Sequence, residues 1–145
     1  FTFHTVSSFT RSFLSTCTCI DVLPVVEPVI ETPLIATIIY FDFNSSYHNA
    51  INKKEMLAFC QGIENKKDTK IVIESHCDKR ATVEYNVWLS KKRMERTSEF
   101  LVSKGFSKEN ISGAYKGESE LEINCDNCTE ENHTINRRTV IKVVK

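Results

Sequence analysis

Glycine is scarce in this chain. Four glycines in 145 residues are too few to build a phosphate-cradling loop, and none stands beside Ser90 to form the sharp elbow of a hydrolase nucleophile. Net charge is missing as well: 19 basic and 19 acidic side chains cancel. A chain without a basic field has little to draw it to nucleic acid or anionic lipid. No stretch approaches the roughly 20 consecutive apolar residues that cross a bilayer, which excludes direct insertion of this segment by a helix. The first residues, FTFHTVSSFTRSF, hold no basic segment followed by an apolar core, so they do not read as a signal peptide. A start without Met reads as a mature or excised piece, with any signal or anchor expected upstream.

Proline is confined to one place. All three prolines lie in LPVVEPVIETP, residues 23–33, where fixed φ angles favour an extended, semi-rigid linker. This divides the chain into an N-terminal extension, 1–33, and a main domain, 34–145. The extension is too short to bury a core of its own, and reads as either the tail of an upstream domain or a strand packed on the main one.

The main domain alternates in type. LIATIIYFDF (34–43) is β-rich and aromatic. Residues 50–63 carry Ile51, Met56, Phe59, Cys60 and Ile63 at helical spacing. KIVIESH (70–76) is a short strand. The spacing over 82–103 predicts a long helix stopped by Gly105, with Val87, Trp88, Met94 and Leu101 on its buried stripe. SKENI (107–111) reads as a turn or short helix, SGAYKG as a short strand or connector, and RRTVIKVVK (137–145) as a final strand. The order β-α-β-α-β predicts an α+β fold, a mixed β-sheet with helices packed on one face.

Two charges stand out. Asp78 follows a strand, at the end where α/β folds place ligand groups. Asn86, Ser90, Arg93 and Thr97 share one polar face of the long helix. That face reads in two ways: a solvated helix surface with one ion pair of little value, or the wall of a site. A carboxylate beside a guanidinium complements a zwitterionic amino acid. Asp78 would accept from its ammonium, Arg93 would donate two parallel hydrogen bonds to its carboxylate, and Asn86 could bridge the two.

Six segments carry a resemblance. IIYFDFNSS (38–46), SHCD (75–78), YNVWLSKKR (85–93), SKGFSKENIS (103–112), KGES (116–119) and NRR (136–138) stand in the order and near the spacing of the OmpA C-terminal-like peptidoglycan-binding domain. The likeness covers about residues 35–145. It implies a non-enzymatic, cofactor-free periplasmic module of an outer-membrane-associated envelope protein, holding the peptidoglycan stem peptide through diaminopimelate. It also implies Asp78 for the ammonium and Arg93 for the carboxylate. Asn86, Asn44 and Arg137 are implied as further lining, and Asp42 as the residue ordering the first loop. The alternative is the same fold without wall binding, serving as a protein-interaction or assembly module.

The departures from the family pattern are Cys77, where it has Thr, and Ala81, where it has Gly; an alanine forced to φ > 0 there would cost about 1 kcal/mol. Lys79 and Arg80 make the loop more basic, which favours peptides with extra carboxylates. His76 reads as a strand-end structural residue, Cys77 as a small buried side chain and Cys60 as core. Cys125-Asp-Asn-Cys128, with His133, lies in a polar loop and is open to three readings: disulfide, free thiols, or part of a zinc site. Paired cysteines in this loop of some family members, and the oxidising compartment that the resemblance implies, favour the disulfide. Cys17 and Cys19 sit on one face of a strand-like run.

Overall fold

A computed structural model describes residues 35–144. The proposed linker and the extension, with Cys17 and Cys19, lie outside the described residues. The aromatic run becomes strand β1, Ala36–Tyr40. Helix α1, Ala50–Gln61, follows, then β2, Lys70–His76, and the long helix α2, Val83–Ser103. Next come a single 3-10 turn at Lys108–Asn110 and β3, Ile111–Gly117. A third helix, α3, Glu130–Asn136, precedes the closing strand β4, Arg138–Val144. The sheet order is β1-β4-β2-β3, with β4 antiparallel to both neighbours and β2 parallel to β3. This is the expected mixed sheet of an α+β fold.

Each helix begins at a side chain that satisfies a free backbone N–H. Asn49 Oδ1 accepts from Asn52 N, Thr82 Oγ1 from Tyr85 N, and Thr129 Oγ1 from Asn132 N. After α2 the chain reverses at Gly105, whose φ of +101° suits glycine alone. Ile39, Ile71, Ile73 and Ile141 project from the sheet against Met56, Phe59 and Leu101 of the helices, and these make the core. In α1 the inward stripe differs from the predicted one by a single residue. It starts at the buried amide of Asn52, and Ile51 is exposed.

In α2 the difference is larger and concerns the site. Val87 and Trp88, expected inside, are 37% and 50% exposed, while Asn86, Ser90, Arg93 and Thr97 are 2%, 0%, 0% and 0% exposed. The polar face is the buried one. It tolerates burial because most of its polar groups are partnered: Ser90 Oγ accepts from Gly117 N at 3.0 Å and donates to Val87 O, and Thr97 Oγ1 donates to Arg93 O at 2.8 Å. Gly117, at φ +56°, comes so close to α2 that a Cβ would lie 3.2 Å from Val87 N.

Thr97 also explains a half-buried histidine. Its hydroxyl proton is committed to Arg93 O, so His48 Nε2, 3.1 Å away, must be the donor to Thr97 Oγ1. The imidazole packs between Phe41 and Phe100. Burial first, then Lys53 and Arg96, lower its pKa to about 4. A proton therefore binds the unfolded chain more readily than the folded one. The His48 contribution to stability is full above about pH 6.5 and is lost as pH falls toward 4. Wild type should lose about 1–2 kcal/mol more than His48→Gln on going from neutral to that pH, after allowance for solvent screening. Urea denaturation of both proteins at several pH values checks this; parallel curves would refute it.

Candidate functional site

The sheet places the end of β2 beside the start of α2. The loop between them, 77–82, carries Cys77, Asp78, Arg80 and Ala81. The turn after β1 brings Phe43 and Asn44 to the same place, and the residue before β4 brings Arg137. A small cavity of about 30 Å³ results, lined by Phe43, Asn44, Asp78, Tyr85, Arg93 and Arg137 among others, with Asn86 also on its wall. That volume has room for a water or two.

Arg93 enters from below. Its guanidinium is fully buried, 4.7 Å from the Phe41 ring centroid. Nε donates to Ser45 O and Nη1 to His76 O, both at 2.9 Å, and Nη1 also meets Cys77 Sγ at 3.4 Å. Nη2 has no partner within the protein. Burial dominates its environment and lowers its pKa, but a guanidinium keeps its charge. The sequence predicts a fork of two parallel bonds from Arg93 to a carboxylate. The structure commits Nε and Nη1 to backbone carbonyls, so the donors left over sit on the single nitrogen Nη2.

Asp78 is nearly buried and heavily partnered. Its Oδ2 accepts from Arg80 Nη2 at 2.7 Å, Arg80 Nε at 3.0 Å and Arg137 Nη1 at 3.1 Å. Burial raises the carboxyl pKa, but the hydrogen bonds from Arg80 and Arg137 outweigh it and hold the group below its ordinary value. Arg137 is fixed in turn: Nε donates to Phe41 O, and Nη2 to Glu130 and Thr134. Asn86 Nδ2 donates to Asp78 O at 2.9 Å and to Glu118 Oε2 at 2.5 Å, fastening the loop to α2 and to the residue after β3.

The remaining candidates divide. Asn44 has the left-handed φ of 52° that Asn tolerates, and its Oδ1 accepts from Tyr85 Oη. Asp42 is not in this cavity. Its backbone oxygen accepts from Ser45 N at 3.2 Å, closing the turn, while the residue lines a separate groove along β1 and α1. Ala81 has no positive φ, so the alanine is unstrained and the loop forms without glycine. Cys77 is a buried neutral thiol, its pKa pushed up to about 11 by burial, and its Sγ faces Asn86 O.

The residues weighed as a metal or redox set are dispersed. Cys125 and Cys128 form a disulfide, Cα to Cα 5.3 Å. His133 Nδ1 lies instead 4.0 Å from Asp78 Oδ2. Among the described residues no group of three His, Cys, Asp or Glu is gathered that could hold a metal ion.

Glu130 has no place in the sequence reading, and Arg80 enters it only as a basic loop residue. The Arg80 guanidinium joins Asp78 to Glu130 Oε2 at 2.7 Å and lies 4.2 Å above the Phe43 ring. The basic loop expected from Lys79 and Arg80 is therefore partly neutralised within the protein. Glu130 opens α3, a helix absent from the sequence reading. The signal available was Thr129 three residues before Asn132, followed by Glu130 and Glu131 in a first turn.

These features define a class: an α+β domain with a buried arginine–carboxylate cleft at the end of a central strand. The chain belongs to the OmpA family, which matches residues 40–137. It is 34% identical over 103 residues to the peptidoglycan-associated lipoprotein of Buchnera aphidicola, covering 71% of this chain and 58% of that protein. It is 32% identical over 96 residues to the protein of the same name in Mesorhizobium japonicum, covering 65% and 57%. The chain thus spans little more than half the length of these relatives. Among solved structures it is similar to the peptidoglycan-associated lipoprotein of Burkholderia pseudomallei, at TM-score 0.66 and 23% identity over 74% of this chain and 89% of that one. The cell wall anchor of the T6SS from Pseudomonas aeruginosa follows the same fold at TM-score 0.60 and 21% identity, covering 74% and 79%.

Proposed function

We propose that this domain binds peptidoglycan and anchors an envelope protein to the cell wall, and that it grips the zwitterionic end of diaminopimelate in the stem peptide. The observation that carries the reading is one cavity lined by both the Asp78 carboxylate and Arg93, whose Nη2 is a buried donor with no partner. A buried unmatched donor is costly and rare in native proteins, so its retention favours a ligand that uses it. Asp78 would accept from the ligand ammonium and Arg93 Nη2 would donate to its carboxylate, with Asn44 and Asn86 lining the sides. Arg137 is a positioning residue, since its own donors already hold Asp78, Glu130 and Phe41. The names of the relatives support the partner, and a periplasmic, outer-membrane-associated location follows from the same reading. No helix among the described residues is long and apolar enough to cross a membrane. Affinity should be modest, because a small polar ligand offers few contacts.

The second reading, an OmpA-like fold acting as a protein-interaction module without wall binding, has its own observation. The cavity is small, about 30 Å³, and Arg80 already occupies the Asp78 carboxylate. Calorimetric titration separates the two. A diaminopimelate muropeptide should bind at least about tenfold tighter than one carrying lysine, which lacks the second carboxylate and so one charged hydrogen bond of about 1.5–3 kcal/mol. No binding of either by well-folded protein would favour the second reading.

A further inference from the structure

Arg80 is the least enclosed member of the charged cluster apart from Glu130: its side chain is 30% exposed, against 7% for Asp78 and 6% for Arg137. It sits on the 77–82 loop, outside helix and strand. It nonetheless makes the shortest contact to Asp78, using two nitrogens, and its backbone N–H reaches Asp78 Oδ1 at 3.3 Å. A ligand ammonium would need the same carboxylate oxygen. Arg137 cannot yield it, because its guanidinium is buried and held by Phe41 O, Glu130 and Thr134. Arg80 can, because Glu130, 63% exposed on the solvent side, already holds its Nη1 at 2.7 Å and gives it a place to pivot.

We infer that Arg80 is the specificity-determining residue of this cleft: it stands in the place of the ligand's ammonium and is displaced toward Glu130 when a zwitterion binds. This rests on the zwitterion reading above and adds who competes for Asp78. Charge decides what gets in. Three carboxylates, Asp78, Glu130 and the Glu118 held on Asn86, balance three guanidiniums, Arg80, Arg93 and Arg137, so the cleft has no net charge. A zwitterion keeps that balance, whereas a bare amine adds an uncompensated positive charge and meets the displaced Arg80 nearby. The local repulsion therefore discriminates against amines that lack a neighbouring carboxylate.

The test uses Arg80→Ala and Arg80→Gln in the full chain, with Asp78 left paired to Arg137 so that the fold is retained. Both variants should bind the diaminopimelate muropeptide about three- to tenfold tighter than wild type. They should gain still more toward the lysine muropeptide, so that selectivity falls. Carbon NMR titration of the Asp78 carboxyl should show its pKa rising in both variants, which a remote structural change would not produce. Unchanged or weaker binding in the variants, with wild type still binding, overturns the role of Arg80 and leaves the wall-binding reading intact. No binding by wild type or either variant overturns both.

Discussion

Arg93→Met is expected to destabilise the domain by about 3–5 kcal/mol, the range for removing one partner from a buried charged network. The side chain is fully buried, and its Nε and Nη1 hydrogen-bond the carbonyl oxygens of Ser45 and His76. Those oxygens belong to the turn after β1 and the end of β2, 48 and 17 residues away in the chain. Methionine fills much of the volume but leaves both acceptors dry, and each buried acceptor left without a donor costs about 1–3 kcal/mol. Lysine should not rescue, since one ammonium on a flexible stem cannot reproduce the spread of the guanidinium. Urea denaturation gives the number. A loss below about 1 kcal/mol would mean that the two segments hold together without Arg93.

Asp78→Asn should carry the largest functional effect, a loss of about 30-fold to 1,000-fold in affinity for a diaminopimelate muropeptide. Truncating one partner of a buried charge pair costs about 2–5 kcal/mol. The fold should survive, because Arg137 keeps Phe41 O, Glu130 and Thr134 as partners. Titration calorimetry on protein of unchanged circular dichroism measures the loss; a change under threefold would remove Asp78 from the site. The pH behaviour of wild type follows in sign. The folded carboxyl lies below its ordinary 3.8, so the stability it contributes is full above that value and is lost as pH falls through the lower folded one. Binding through Asp78 should accordingly persist at mildly acidic pH.

Periodicity and local chemistry went a long way here. Strands β1, β2 and β4 and helices α1 and α2 follow from apolar spacing and from Gly105, while SGAYKG, which forms β3, reads equally as a connector; the spacing of Asn86, Ser90, Arg93 and Thr97 correctly puts them on one face. Which way that face points was not legible. A polar stripe looks the same whether water or distant backbone satisfies it, and Val87 and Trp88 offered a more apolar side. The partners that make burial tolerable, Ser45 O, His76 O and Gly117 N, lie on other elements. Helix α3 escaped because its seven residues carry no apolar stripe; Thr129, Glu130 and Glu131 were its only marks.

The sequence by itself determined the α+β order, the family likeness, and the pairing of an acid after β2 with an arginine about three turns into the next helix. These are local patterns plus spacing, and local patterns survive without knowledge of the fold. Tertiary structure alone decided that Arg93 is buried, that Arg80 rather than open solvent meets Asp78, and that Glu130 joins them from 50 residues away. The physical reason is that charge pairing and desolvation depend on distance in space. The sheet order β1-β4-β2-β3 makes neighbours of segments that the chain keeps far apart.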